Sequence, residues 1–232
     1  MTVAILTPTV NRPHQAYLDA VEAAIPALDA AGIEHRIGFV ADNPYISAAR
    51  AQLLRNALDA KCDAVVFIDH DISFDPADLV RLIQAEGDVV AGLYRFKKDD
   101  EEYMGGPFTD ANGIAIQRED GCISAHRVPA GFLKVTAMAV HRFIKAYPNL
   151  CYGPAYSPSI DLFNHGAHDG AWYGEDYAFS RNWLALGGDI WVIPDLNLTH
   201  HSADRAYGGT YFDFLCRQPG GSEHPDTIRE AA

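Results

Sequence analysis

The residues with the clearest chemical potential are Asp69 and Asp71, which flank His70 directly after the apolar run Ala64-Val65-Val66-Phe67-Ile68. Such a run suits a strand buried on both faces of a parallel sheet. The two carboxylates therefore fall at a strand's carboxyl end, where open α/β sheets bind ligands. Acids placed there suit a hard divalent cation such as Mg²⁺ or Mn²⁺, which takes oxygen ligands and leaves part of its shell to phosphate oxygens; the alternative is that they cap the following turn. A second acidic pair, Glu175-Asp176, opens a segment in which positions 175, 176, 179, 183 and 186 share one helical side. Both carboxylates then project with Phe179 and Trp183 toward the protein, either to accept a hydroxyl proton or to complement a helix dipole. Arg50 lies in the middle of the stripe formed by Ile46, Leu53, Leu54 and Ala57, whereas Arg55 lies off it, toward water. An arginine facing the protein requires a carboxylate or a phosphate as partner.

The elements that must position these groups alternate along the first half. A strand over Val3 to Thr7 is followed by a helix from about His14 to Ala31, a strand over His35 to Ala41 and a helix from Ile46 to about Ala60. The buried run 64–68 follows, then a helix over Ala77 to Ala85 behind Pro76 and a strand over Asp88 to Tyr94. Beyond Arg95 lie a charged stretch, Lys97 to Glu102, and short, partly antiparallel strands over 114–116 and 122–128. Periodicity returns at Phe132 to Phe143. A loop rich in Pro, Tyr, His and Gly spans Pro148 to Gly174; within it His165, His168 and Asp169, with Trp172 and Tyr173, form a rival polar cluster suited to an acceptor-site wall. The helix from Glu175 to Leu186, a strand over Asp189 to Ile193 and a polar end at Asn197 to Ser202 complete the pattern.

Composition narrows the function classes. Hydrophobic residues make up 48% and charged ones 21%, which argues against disorder. With 18 Lys and Arg against 31 Asp and Glu, the net charge is −13, and such a surface disfavours an extended nucleic-acid interface. The four Cys, at 62, 122, 151 and 216, contain no Cys-x-x-Cys pair and are expected as reduced thiols. Met1 leads straight into Val3-Ala4-Ile5-Leu6, and no apolar run suits a membrane span, so the expectation is a soluble, cytoplasmic protein without a transmembrane segment.

The segment Phe67-Ile68-Asp69-His70-Asp71, placed after two βα units and followed by the Pro76-Ala77-Asp78-Leu79 helix start, resembles the glycosyltransferases of the GT-A fold. Their Asp-x-Asp motif follows a buried strand and binds metal plus the diphosphate of a nucleotide sugar. Ile46-Ser47-x-x-Arg50 resembles their Arg-bearing helix, and Gly-Glu-Asp at 174–176 their acidic motif beneath the acceptor. The likeness covers about residues 3 to 202 and is strongest over 46–79, 128–143 and 174–201; the latter two stretches look somewhat like Anp1-type mannosyltransferases.

The resemblance implies one GT-A type (Rossmann-like) α/β domain over 1–216, its mostly parallel central sheet flanked by helices, with a flexible C-terminal tail over 217–232. It implies a metal site of Asp69, Asp71 and His200, with His201 as the alternative to His200, holding Mn²⁺ or Mg²⁺. It places a UDP- or GDP-sugar donor against Thr7, Thr9, Arg12, Asp42, Arg50, Asp69, Gly131 and Phe132, and assigns the acceptor hydroxyl to Asp176 or Glu175. The acceptor is then a carbohydrate or another hydroxyl compound. Two alternatives are a nucleotidyltransferase on a similar sheet, which would release pyrophosphate, and a carbohydrate-binding protein without catalysis.

Overall fold

The computed structural model describes residues 1–40, 43–156 and 158–218. Asp42, expected at the nucleoside pocket, and the tail from position 219 lie outside the described residues. The chain runs β1 (Thr2–Pro8), α1 (Gln15–Ala30), β2 (Glu34–Val40), α2 (Ile46–Asp59), β3 (Ala64–Ile68), β4 (Ile72–Phe74), α3 (Pro76–Gln84) and β5 (Val89–Ala91). It continues through β6 (Gly106–Pro107), β7 (Ile123–Arg127), β8 (Phe132–Thr136), α4 (Ala137–Ala146), β9 (Cys151–Tyr152) and β10 (Ser159–Ile160). The last elements are β11 (Gly166–His168), β12 (Ala171–Tyr173), α5 (Glu175–Ala185), β13 (Trp191–Val192), β14 (Leu198–His201), β15 (Ala206–Tyr207) and α6 (Tyr211–Cys216).

An 8-stranded sheet in the order β2-β1-β3-β8-β5-β13-β7-β6 forms the centre. Within it β8 and β7 run against the other strands, so the sheet is mixed but mostly of one direction, with helices on both faces as expected. The apolar run of β3 is buried throughout because both faces are covered. Val65 and Phe67 join Leu53 and Leu54 of α2, Phe143 of α4, and Phe179 and Trp183 of α5 in one core. Ala64, Val66 and Ile68 join Tyr17 and Leu28 of α1 and Leu79 and Leu82 of α3 in the other, as the two-residue repeat of a strand requires.

Several elements depart from the sequence expectation. The strand β4 follows the Asp pair directly and forms a separate sheet with β14 and β15. The stretch expected as a loop over Pro148 to Gly174 holds two small antiparallel hairpins, β9–β10 and β11–β12, whose strands of two or three residues are too short to show a repeat. Arg217, expected to begin a loose tail, makes two bonds to Glu101, at 2.7 and 2.8 Å. Among the described residues no helix is long and apolar enough to cross a membrane.

Two contacts seat α3 and α5. Lys134 on β8 is buried and donates to the carbonyls of Ile83 and Ala85, neutralising the carboxyl end of α3. Trp183 anchors α5 by donating from Nε1 to the Asp189 carbonyl at 2.9 Å. A Cβ on Gly188 would stand 2.2 Å from that indole, which is buried and rigid. Gly188→Ala is therefore expected to lower stability by about 1–3 kcal/mol, read from the denaturant midpoint at unchanged slope. An unmoved midpoint would show that α5 is not held by this contact.

Candidate active site

Arg50 is 1% exposed and lies between the two acidic motifs. Its guanidinium donates to Asp69 Oδ1 at 2.8 Å and to Glu175 Oε1 at 3.1 Å. The Phe163 ring closes one face of the group, 5.0 Å away at its centroid. Burial opposes the charge, but the two carboxylates outweigh it and raise the Arg50 pKa. The stripe on α2 that carries it includes Leu53, Leu54 and Ala57, whereas Ile46 is exposed at the helix start. Arg55 is less free than its helical phase implies, since it bonds the Pro158 carbonyl at 3.1 Å and pairs with Asp59.

Asp69 is fixed from its other side as well. Its N–H donates to the Gly131 carbonyl at 3.0 Å, and the Tyr94 hydroxyl stands 3.5 Å from Oδ2. A Cβ at Gly131 would lie 2.3 Å from that hydroxyl and 2.6 Å from Oδ2, so glycine is required by close approach of the strands. Phe132, the next residue, was expected against the donor. Its ring is fully buried and packs on Phe74 at a centroid distance of 5.2 Å, so it serves the core and offers no face to a ligand.

Asp71 turns the other way. The pairing of β4 with β14 sets His200 opposite Ile72 and brings its Nε2 within 3.6 Å of Asp71 Oδ2. Asn197, just before β14, donates its N–H to Asp78 Oδ2 of α3 at 2.8 Å, which fixes the strand's entry. His200 Nδ1 lies 2.8 Å from the Arg95 carbonyl, a contact that assigns the proton to Nδ1 and leaves Nε2 as an acceptor. Lys97 also pairs with Asp71 Oδ2. Although burial raises the Asp71 pKa, the Lys97 ammonium paired with Oδ2 overcomes it and holds the carboxyl below the usual range. His201 faces away, 2.7 Å from Ser73 Oγ and stacked on His14 at 4.5 Å.

Asp176 begins α5 beside Glu175, and its Oδ1 accepts from the Tyr177 N–H at 2.8 Å. Burial first, then the neighbouring Glu175 charge, push its carboxyl up to about 6. Glu175 is occupied by Arg50, so the adjacent acids differ: one is tied into an ion pair, the other is a carboxyl whose burial favours its protonated form.

At the end of β1 the Thr7 hydroxyl is buried and shares a 2.5 Å hydrogen bond with Tyr17, while Thr9 donates to the Asn11 carbonyl. Both hydroxyls hold the chain in place instead of facing a ligand. Arg12 is exposed and donates to Gln15 at 3.3 Å. The His168–Asp169 pair sits in the exposed turn of the β11–β12 hairpin, Nε2 to Oδ2 3.2 Å. Sequence reasoning did not single out Tyr94 or Lys97 as site residues. The signal for Tyr94 was a large polar aromatic at a strand's carboxyl end; Lys97 had none beyond its place in a charged stretch.

No protein-family model matches the chain, and no curated protein matches it in sequence. Among solved structures, A197 from STIV is similar at 16% identity, covering 91% of each chain with a TM-score of 0.55. GalNAc-T7, solved with UDP, GalNAc and Mn²⁺, is similar at 13% identity over 86% of this chain and 44% of that one, with a TM-score of 0.50. The catalytic domain of Drosophila beta1,4galactosyltransferase 7, in complex with xylobiose, follows at 14% identity, 82% and 64% coverage and a TM-score of 0.47. The first two likenesses are of fold, and they make the architecture GT-A-like. The chain spans less than half the length of GalNAc-T7.

Removing the buried guanidinium leaves two acids facing each other without a counterion. Arg50→Ala is expected to cost about 2–4 kcal/mol, below the full value for a buried pair because both carboxylates reach water in part. Arg50→Lys should recover only part of this, lacking the fork that spans two acids, and Arg55→Ala should cost about 1 kcal/mol or less. Equal small losses in chemical denaturation would remove Arg50 from its central place. Asp176 gives a pH test. Its folded-state pKa of about 6 lies above the ordinary 3.8, so the unfolded chain ionises first and stability falls as pH rises through that window. Asp176→Asn is expected to be more stable than the parent above pH 6 by about 1 kcal/mol or more, with the difference vanishing near pH 4.

Proposed function

We propose that the protein transfers a sugar from a nucleoside-diphosphate sugar, UDP- or GDP-linked, to a hydroxyl acceptor, with a divalent cation bound at Asp71 and His200. The convergence of these two side chains at the end of β3, with His200 Nε2 left as an acceptor 3.6 Å from Asp71 Oδ2, carries the reading. A carboxylate oxygen and an imidazole nitrogen suit Mn²⁺ at least as well as Mg²⁺. Among the described residues no group of three or more His, Cys, Asp or Glu is arranged to hold a metal. Two protein ligands fit a cation that arrives with its substrate, whose diphosphate oxygens and water fill the remaining positions. When bound, the cation would supply positive charge to the departing diphosphate. The GT-A-like fold, and the presence of UDP, GalNAc and Mn²⁺ on one protein that shares it, agree with this assignment.

The chain's own residues divide the remaining work. Asp69, held by Arg50 and close to Tyr94, would face the donor's ribose hydroxyls or the metal's water shell. The nucleoside would lie across the ends of β1 and β2, with Arg12 near phosphate. Glu175 fixes the start of α5 through Arg50, and Asp176 receives the acceptor hydroxyl proton. The acceptor would be a carbohydrate or another hydroxyl compound.

Thermal shift with UDP, GDP and their sugars, with and without Mn²⁺, tests donor binding. One nucleotide should stabilise the protein only with the cation, by about 2.7 kcal/mol at a hundredfold excess over Kd; full stabilisation in EDTA contradicts the assignment. Asp176→Asn should keep that shift while transfer falls about a hundredfold or more, and the parent's rate should rise with pH through about 6. Near-normal transfer by this variant would take Asp176 out of the chemistry.

A further inference from the structure

Lys97 has no part in the assignment above, yet its ammonium rests on the oxygen that assignment needs. It pairs with Asp71 Oδ2, the atom His200 Nε2 approaches at 3.6 Å. The backbone around it is anchored: Phe96 N–H donates to the Glu102 carbonyl at 2.9 Å, Arg95 bridges to Tyr103, and Arg205 holds Asp99. The side chain itself is one-third exposed, so it can swing while its root stays fixed. A divalent ion on Asp71 and an ammonium on the same oxygen would repel at contact distance. Lys97 must therefore leave Asp71 before a cation can occupy it. A displaced ammonium at the rim of the site has an obvious counterion in the diphosphate, which gains a further negative charge as the sugar bond breaks and then exceeds what one divalent ion neutralises.

We propose, on the basis of the nucleotide-sugar reading, that Lys97 is an exchangeable internal cation: in the absence of donor it holds the divalent-ion position on Asp71, and with ion and donor bound its ammonium moves onto the diphosphate. In the resting state the Lys97 ammonium balances Asp71, which would otherwise stand beside Asp69 as a second anion. In the loaded state it adds positive charge to the leaving group. The exchange makes cation and nucleotide bind cooperatively, because the salt bridge broken by the first is replaced by a contact to the second.

Calorimetric titration of the full chain tests this, with Mn²⁺ alone and then with UDP or GDP in the presence of Mn²⁺, on the parent, Lys97→Met and Lys97→Arg. Lys97→Met should bind Mn²⁺ alone about fivefold or more tighter and bind the nucleoside diphosphate about tenfold weaker. Lys97→Arg, which keeps the charge, should restore most of the nucleotide affinity. If the parent binds Mn²⁺ and nucleotide but Lys97→Met leaves either affinity unchanged, the exchange is overturned and the transferase reading stands. If the parent binds no nucleoside diphosphate with Mn²⁺, that reading falls and the exchange with it.

Discussion

The site depends on a buried guanidinium shared by two carboxylates from distant parts of the chain. Arg50 cannot give up its proton and has almost no access to water, so burial is tolerable only with anions at hydrogen-bond distance. That requirement ties α2 to the end of β3 through Asp69 and to the start of α5 through Glu175. The two acidic motifs consequently meet at one guanidinium, with Gly131 left bare of a Cβ so that Asp69 and Tyr94 can approach each other.

This one constraint sorts the acids by role. Asp69 and Glu175 pair with Arg50, and Asp71 pairs with Lys97 beside His200. Asp176, close to Glu175 and shielded from water, is the carboxyl whose charge the fold disfavours, and it is therefore the one suited to take up a proton near neutral pH. The four acids thus stand in different environments because their counterions differ, although all lie in short acidic motifs of similar composition.

Much of this was legible in the sequence for particular physical reasons. The alternation of β1, α1, β2, α2 and β3 shows because buried strands and amphipathic helices impose their own repeats, and Arg50 stood out as a charge at the centre of an apolar stripe. Its partners did not, since Asp69 is 19 positions away and Glu175 is 125, and contact across such separations is decided by strand order and packing. The short strand β4 and the β9–β10 and β11–β12 hairpins lie below the length at which a repeat is visible. Thr7 and Phe132 sit on strands buried on both faces, where alternation no longer tells which side chain meets a ligand and which meets a helix. Lys97 was hidden because a lysine in a charged segment looks like any solvated lysine until the fold places Asp71 beside it.

In the proposed function these groups act on the bond between a sugar and a nucleoside diphosphate. Phosphorus NMR, recorded after the cation is chelated, of the protein incubated with Mn²⁺, a panel of nucleotide sugars and nucleoside triphosphates and a mixed pool of sugar acceptors reads the broken bond directly. One donor signal should give way to that of a free nucleoside diphosphate, dependent on the cation and faster with acceptor present. Release of pyrophosphate from a nucleoside triphosphate, or tight nucleotide-sugar binding with no new phosphorus signal, would contradict it.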